Sequence, residues 1–373
     1  MIVVNFSNQI AAGPKNISTN FIRQVLINED GTKYLFIIPR IEGFLHFENT
    51  DSVKFKFISV NPGAIQALLN VFYVNLFLLN FLSLKYNVSS ILAFGNFLFG
   101  VVSKANKVVL LHHPYIIDDT LFYKLPFKAR EIERIKRFIF YFTVKNSNRV
   151  VVQSDYMKTC FLTKYPSALA KVEKIYNPIS DNFSQNRIEP KNIIPNQKIN
   201  IIYASRFYPH KNHQFIIKLA ERVKEQASNI HFIITINGNS PETSDLLNTI
   251  KQKNLPVSNV GEISQEKLQV LYLSSDLAIF PSKTETFGNP LVEALYFALP
   301  VIAPSREYAL DILGDVGIFY NPESVEDCTQ VIFDTTNSEQ TYHECSLNSL
   351  KRSVIFPNAK KWFQLYQNVL ITK

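Results

Sequence analysis

The sequence predicts an α/β fold of two domains, each a doubly wound parallel sheet, and three observations predict it. Short apolar runs of strand length alternate with helical stretches from end to end, the pattern of a parallel sheet covered by helices on both faces. The chain has 373 residues, beyond the size at which one hydrophobic core keeps growing. A polar, weakly periodic stretch with two prolines, DNFSQNRIEPKNIIPNQKIN at 181–200, divides the alternation into two series.

In the first series the runs IVVNF, KYLFII, ILAF, KVVLL and RVVVQS are nearly continuous in apolar residues, as strands buried on both faces require. Helices are expected between them, among others over Asn16–Asn28 and Ala129–Thr143. The second series reads NIIYAS as strand, HQFIIKLAERVKEQ as helix and HFIITIN as strand. A helix near Gln265–Leu273 follows, then the strands LAIFPS, PVIAP and GIFYN. The boundaries that result are 1–182 for the first domain, 183–198 for a linker and 199–355 for the second. The tail places Trp362, Leu365, Tyr366 and Val369 on one helical face. Such a helix can pack on its own domain, but helix 356–373 is expected to cross back and brace the first domain.

Composition narrows the class. A hydrophobic fraction of 46% and a charged fraction of 19% describe a globular protein, not a disordered one. Cys160, Cys328 and Cys345 are scattered, with no CxxC pair or histidine cluster, which argues against a disulfide framework or a structural zinc and fits a reducing cytosol. The start MIVVNFSNQI lacks the basic residues and long apolar run of a secretory signal and reads as a first buried strand. Residues 57–84 carry no charge, but Gln66, Asn70, Asn75 and Asn80 interrupt them and Pro62-Gly63 breaks their start. Gln66, Asn70, Tyr73 and Asn80 fall on one side at helical spacing, so an amphipathic helix is expected there, not a membrane span. Residues 1–195 hold 23 Lys+Arg against 13 Asp+Glu, a balance of +10, and residues 196–373 hold 16 against 18, a balance of −2. Two domains with different partners are implied.

Two motifs carry chemistry. TETFGNPLVEAL, at 284–295, follows the strand LAIFPS and sets Glu285 and Glu293 on either side of Phe287-Gly288-Asn289-Pro290. A glycine-containing loop entering a helix offers backbone N–H groups to an anionic or hydroxyl-rich ligand. Pro290 suits the first helical turn, where a missing N–H costs nothing. Glu293, one turn further on, can hold a diol such as ribose, and Glu285 can reach a sugar. The same acids could equally be helix-start capping. ASRFYPHKNH, at 204–213, follows the first strand of the second series and sets Arg206 and Lys211 in a strand-to-helix loop. Ligands gather at such carboxyl ends of parallel strands. Two cations there suit a pyrophosphate and could stabilise charge on a departing nucleoside diphosphate.

ASRFYPHKN together with VGEISQEKLQVLYLSSDLAIFPSKTETFGNPLVEALYFALPVIA resembles the retaining glycosyltransferases of family 4, strongly over about 200–322 and loosely before it. The resemblance implies the GT-B fold, two Rossmann-like domains facing a central cleft. It implies a retaining transfer of a sugar from a nucleotide-diphosphate sugar to a polysaccharide, oligosaccharide or lipid-linked acceptor, with no metal and no other cofactor, in bacterial surface glycan synthesis. Glu293 then holds the donor ribose, while Glu285 and the backbone of Phe287, Gly288, Asn289, Pro290 and Leu291 contact sugar and phosphates. Arg206 and Lys211 match the diphosphate-binding pair, and the Gly261-Glu262-Ile263 turn matches the seat of the base. In KVVLLHHPY, His112 and His113 follow a strand where the family has a histidine near the transferring sugar, His112 fitting slightly better. Gly13, in AAGPKN between first strand and first helix, resembles the family's glycine loop near the diphosphate, although Ala12 and Pro14 stand where a second glycine is common.

The stretch 124–145 mixes seven cations with aromatics, and two readings stand: a solvated helix face followed by a buried strand-like run, or a face that rests peripherally on the inner, cytoplasmic surface of an anionic membrane. A nucleotide-sugar epimerase of the same fold is the alternative function, distinguished by turnover of donor without acceptor. The pI near 9.1 suggests nucleic acid only superficially, since no binding motif is present and the basic excess lies in one half.

Overall fold

A computed structural model describes residues 1–10, 12–28, 31–49, 53–59, 64–181, 183, 188–194, 197–226 and 229–371. The chain forms two units, Met1–Pro178 with Asn358–Lys373, and Ile179–Pro357.

The first unit runs β1 (Ile2–Asn5), α1 (Ala12–Ile27), β2 (Tyr34–Pro39), β3 (Lys54–Ile58), α2 (Ala64–Phe72), α3 (Leu79–Lys85), β4 (Ser90–Ala93), β5 (Asn106–Leu110), α4 (Asp119–Tyr123), α5 (Phe127–Asn146), β6 (Arg149–Val152), α6 (Asp155–Lys164) and β7 (Val172–Lys174). Its seven strands are ordered β3-β2-β1-β4-β5-β6-β7, every pair parallel. The strand order reverses between β1 and β4; Ile2 of β1 pairs with Tyr34 of β2 on one side and Ser90 of β4 on the other. Alternate residues of the central strands point to opposite faces: Val3 and Ile91 enter a core with Leu78, Phe140 and Phe161, while Val4 and Leu92 enter one with Phe21, Trp362 and Tyr366.

The second unit runs β8 (Ile199–Tyr203), α7 (His213–Gln226), β9 (Ile230–Ile234), α8 (Pro241–Gln252), β10 (Val257–Asn259), α9 (Gln265–Ser274), β11 (Leu277–Ile279), α10 (Asn289–Tyr296), β12 (Val301–Pro304), α11 (Glu307–Leu313), β13 (Ile318–Tyr320), α12 (Val325–Thr336) and α13 (Glu339–Ser353). Its six strands are ordered β10-β9-β8-β11-β12-β13, again all parallel, with the reversal between β8 and β11. Ser240 starts α8 with a capping box to Thr243, and Pro241 sits in its first turn. Within the polar stretch 181–200, Phe183 packs edge-on to Phe297 at 5.0 Å and Lys191 Nζ donates to the carbonyls of Tyr272, Leu273 and Ser275 at 2.6–3.0 Å.

The last helix, α14 (Ala359–Ile371), closes the first unit: Phe21 of α1 meets Trp362 edge-on at 5.8 Å and Phe363 at 5.1 Å. Ser90 Oγ and Asn106 Nδ2 both donate to the carbonyl of Leu370, at 2.7 and 3.1 Å. The inward face is Trp362, Phe363, Tyr366 and Leu370, with Leu365 and Val369 only partly covered. Trp362→Ala should destabilise the first unit by about 3–5 kcal/mol, because the fully buried indole leaves a cavity among rings that cannot collapse onto it. A fall in the urea midpoint of that unit's transition checks this.

Three local expectations need correction. α1 begins at Ala12, four residues before Asn16, so Gly13 and Pro14 form its first turn and Gly13 is not in a loop; Ala11 lies outside the described residues. α5 contains the helix expected over Ala129–Thr143 and runs on through Asn146, so the strand-like reading of FIFYF fails; Phe140 points inward and Phe138 outward. Between α2 and α3 the chain makes a π-helical turn, Tyr73–Leu78, whose extra residue rotates everything after it relative to a regular helix. Tyr73 is consequently exposed, while Asn75 is buried and Asn80 bonds the loop at Gly100. Pro62-Gly63 and the side chain of Gln66 lie outside the described residues.

Candidate active site

Loops at the carboxyl ends of β8 and β11 flank the point where the second sheet reverses its order, the place where a crevice opens in doubly wound sheets. After β8 the chain makes a short 3-10 turn, Pro209–Lys211, and Asn212 follows in left-handed conformation (φ 58°), which asparagine tolerates better than most residues. Three hydrogen bonds fix this loop. Tyr203 Oη donates to the Lys211 carbonyl at 2.5 Å, Lys283 N donates to the His210 carbonyl at 2.7 Å, and Asn212 Nδ2 donates to the Pro281 carbonyl at 3.3 Å. The β8 loop is thereby stitched to the β11 loop, and Lys211 faces Glu285.

Lys211 Nζ donates to Glu285 Oε1 at 2.6 Å, with the side chains 14% and 12% exposed, and the ammonium lies 5.0 Å from the centre of the Phe280 ring. Gly288, at φ 84°, turns the chain into α10; a Cβ there would meet Leu291 Cδ1 at 3.1 Å in a backbone region that side chains disfavour. Pro290 occupies the first helical turn, and Leu291 N donates to the Gly288 carbonyl at 2.9 Å. Phe287 and Leu291 bury their side chains in the core while Asn289 and Pro290 stay partly accessible.

Glu293 lies one turn into α10. Tyr272 Oη, from α9, donates to its Oε2 at 2.9 Å. Burial pushes the carboxyl up to about 7, against the smaller opposing pull of the Tyr272 hydrogen bond and of Lys211. Lys211 thus joins both acids, by contact with Glu285 and by its field at Glu293. Arg206 behaves differently. Its guanidinium reaches both oxygens of the Glu262 carboxylate at 3.3 Å, and Oε1 also accepts from Asn237 Nδ2 at 3.1 Å. The two cations of the β8 loop are therefore held by different acids, Arg206 beside the turn at Gly261 (φ 74°) and half-buried Ile263.

Gly13, His112 and His113 belong to the first unit. His112 sits at the end of β5; its backbone N donates to Asn96 Oδ1 at 2.8 Å, and Asn96 is itself left-handed (φ 64°). Burial, then the neighbouring His113, hold the His112 ring down at about 4, so it is neutral at pH 7. His113 instead meets Glu133 at 2.9 Å, and Lys136 reaches the other oxygen of Glu133 at 2.6 Å. The two histidines thus have separate surroundings: His112 meets Asn96 of the loop after β4, and His113 is tied to α5. Beside His112, Asn8 Nδ2 donates to the Gly95 carbonyl at 3.0 Å, and a Cβ on Gly95 would fall 2.1 Å from Asn8 Oδ1. Gly13 has open space where a Cβ would lie.

Sequence reasoning passed over Tyr272, Asn96, Glu133 and Glu262. Each acts through a contact remote in sequence. Glu262 and Tyr272 stand within the stretch that carries the resemblance, but nothing there marks them as partners of Arg206 and Glu293, and at 96 only the asparagine hints at a left-handed turn.

Residues 184–352 match the family model described as Glycosyl transferases group 1. The O-antigen chain mannosyltransferase RfbU of Salmonella typhimurium is 24% identical over 58% of this chain and 57% of its own length, so the chain spans little more than half of that relative. Among solved structures, a glycosyltransferase from Rickettsia africae superposes with a TM-score of 0.73 at 15% identity, covering 100% of this chain and 99% of its own. Anabaena Alr3699/HepE in complex with UDP and glucose gives 0.71 at 15% identity, covering 99% and 98%. The structural likeness establishes the GT-B fold, and the sequence match rests on the unit that holds Lys211, Glu285 and Glu293. Over residues 184–352, within that second unit, the chain is similar to the group 1 glycosyl transferases.

Proposed function

We propose that this glycosyltransferase moves a hexosyl group, with retention of configuration, from a nucleoside diphosphate sugar to a saccharide or lipid-linked saccharide acceptor during synthesis of a bacterial surface glycan. The observation that carries the reading is the Lys211–Glu285 pair at the reversal point of the second sheet, with Glu293 at the start of the adjoining helix. A pyrophosphate arriving there exchanges the Glu285 contact of Lys211 for its own oxygens. Arg206, exposed beside it, supplies a second cation, and Glu285 is freed toward the sugar hydroxyls. The cations disperse charge on the leaving diphosphate, so the step draws on this chain's side chains and no cofactor is assigned. Glu293 holds the ribose diol and Ile263 lies against the base. Neutral His112 and Gly13 are assigned to the first unit's part in sugar and acceptor binding. A cytoplasmic location fits this reading and the three free cysteines, Cys160, Cys328 and Cys345. The relatives support the product class: RfbU is named for O-antigen chains.

The test is a thermal-shift screen of the whole chain against UDP-, GDP- and ADP-sugars, followed by nucleoside diphosphate release with and without saccharide acceptors. A donor at about 100 times its Kd adds about 2.7 kcal/mol and raises the melting temperature by a few degrees. Release that depends on an added acceptor is expected. Conversion of the donor sugar with no acceptor would instead assign an epimerase, and no stabilisation by any nucleoside diphosphate sugar would overturn the reading.

A further inference from the structure

The helical segment between β3 and β4 has its polarity reversed relative to a water-facing helix. Its asparagines point at the protein: buried Asn75 accepts from Phe99 N at 3.2 Å, and Asn80 donates to the Gly100 carbonyl at 2.9 Å and accepts from Val102 N at 3.0 Å. What it turns outward is apolar. Leu69, Tyr73, Phe77, Phe81 and Leu84 form a stripe exposed by 49–89%, uncharged until Lys85. Exposed apolar side chains are ordinary singly; a continuous stripe is not.

A second exposed stripe stands on the same face of the first sheet. Leu78, Leu82, Phe140 and Val144 share one core, and the loop that accepts the asparagines also receives α5, where Leu98 N donates to Thr143 Oγ1 at 3.1 Å. On the outer side of α5, Phe127, Ile135, Phe138 and Phe142 are exposed, interleaved with the exposed cations Lys128, Arg134 and Lys145. Apolar rings among cations match an anionic lipid surface: the rings enter between headgroups and acyl chains, and the ammonium and guanidinium groups meet phosphates.

Leu68–Lys85 is apolar and long enough to cross a bilayer by length and composition. The sheet forbids it. β3 and β4 lie in one parallel sheet, so the chain leaves it and returns to it across a single segment, and one crossing would strand the two strands on opposite sides.

We propose that this face of the first unit is a membrane-docking surface for an anionic bilayer, with the 69–84 stripe lying in the interface and α5 supplying the charge. The proposal does not depend on the donor or the acceptor. It is tested by flotation of the full chain with vesicles of phosphatidylcholine alone or containing about 30% phosphatidylglycerol, at about 0.1 and about 0.5 M salt. The expected result is binding to the anionic vesicles that falls with salt. Phe77→Ser with Phe81→Ser lowers the partition coefficient about tenfold or more at either salt, with an unchanged melting temperature, because both rings are outside the core. Arg134→Glu with Lys145→Glu removes the preference for anionic over neutral vesicles. The idea is overturned if the wild-type chain stays with the unbound fraction, or if the two serines leave partitioning unchanged. It is equally overturned if light scattering shows a dimer that the serines convert to monomer without altering flotation, since a second copy then covers the face.

Discussion

Lys211→Ala is expected to lower kcat by about 10²–10³-fold, read as nucleoside diphosphate release at saturating donor, which is the loss typical when one preorganised group facing developing charge is removed. The geometry makes Lys211 the stronger of the two cations for this role. Its side chain is 14% exposed, with the ammonium over the Phe280 ring, and it is fixed through a backbone stitched to the β11 loop, whereas the Arg206 side chain is 48% exposed. A cation that is already in place and little solvated costs no reorganisation as charge builds on the leaving group. Deleting it also strands Glu285, at 12% exposure, without its partner, and that alone destabilises the fold. The two effects are separated by the double variant Lys211→Ala with Glu285→Gln. It removes the unpaired charge and should recover most of the lost melting temperature, which isolates the effect on stability. The chemical effect is read from kcat of Lys211→Ala alone at a temperature where that variant is fully folded. Wild-type turnover in Lys211→Ala would take the residue out of the chemistry.

The parts of the site that the sequence made legible are those set by local rules. Gly288 and Pro290 mark a helix start because one tolerates positive φ and the other lacks an N–H that the first turn does not need. Eight-residue spacing then puts Glu285 before the turn and Glu293 within the helix. The strand runs were legible because a sheet covered on both faces admits almost no polar residue. What was hidden depends on distant partners or on phase. Nothing near Arg206 announces Glu262, which arrives from the loop after β10. Nothing near Glu293 announces Tyr272, which reaches it from α9. The π-helical turn at Tyr73–Leu78 adds one residue to the helical count, so a regular 3.6-residue wheel places Tyr73 with the asparagines when it lies away from them. FIFYF has the composition of a strand, which kept a strand-like reading open beside the helix expected over Ala129–Thr143; the helix holds, its buried side taking Phe140 and Val144 and its outer side carrying Phe138 and Phe142. Tertiary burial, not propensity, decided that segment.

Glu293→Gln should weaken nucleotide binding by about 10–100-fold at pH 8, the worth of hydrogen bonds to a charged acceptor, and should remove this carboxyl's share of the pH response of the free protein. In the folded chain burial holds this carboxyl at about 7, against an ordinary value of 4.5. A raised acid contributes stability that is fully present below about pH 4.5 and lost as the pH rises through about 7. Between those limits the unfolded chain has given up the proton and the folded chain still keeps it. The glutamine cannot ionise, so its melting temperature should gain on that of the wild type as the pH is raised from about 5 to about 8. Donor binding has the opposite sign. The ribose hydroxyls donate best to the ionised carboxylate, so wild-type affinity should strengthen across the same window while that of the glutamine variant stays flat. Tyr272, already bonded to Oε2, leaves Oε1 as the oxygen for the diol, and Tyr272→Phe should shift the wild-type midpoint upward by removing a bond that favours the charged form. Calorimetric titrations at several pH values decide the matter: identical slopes for wild type and Glu293→Gln would mean that the ribose is held elsewhere and that Glu293 only braces α9 against α10.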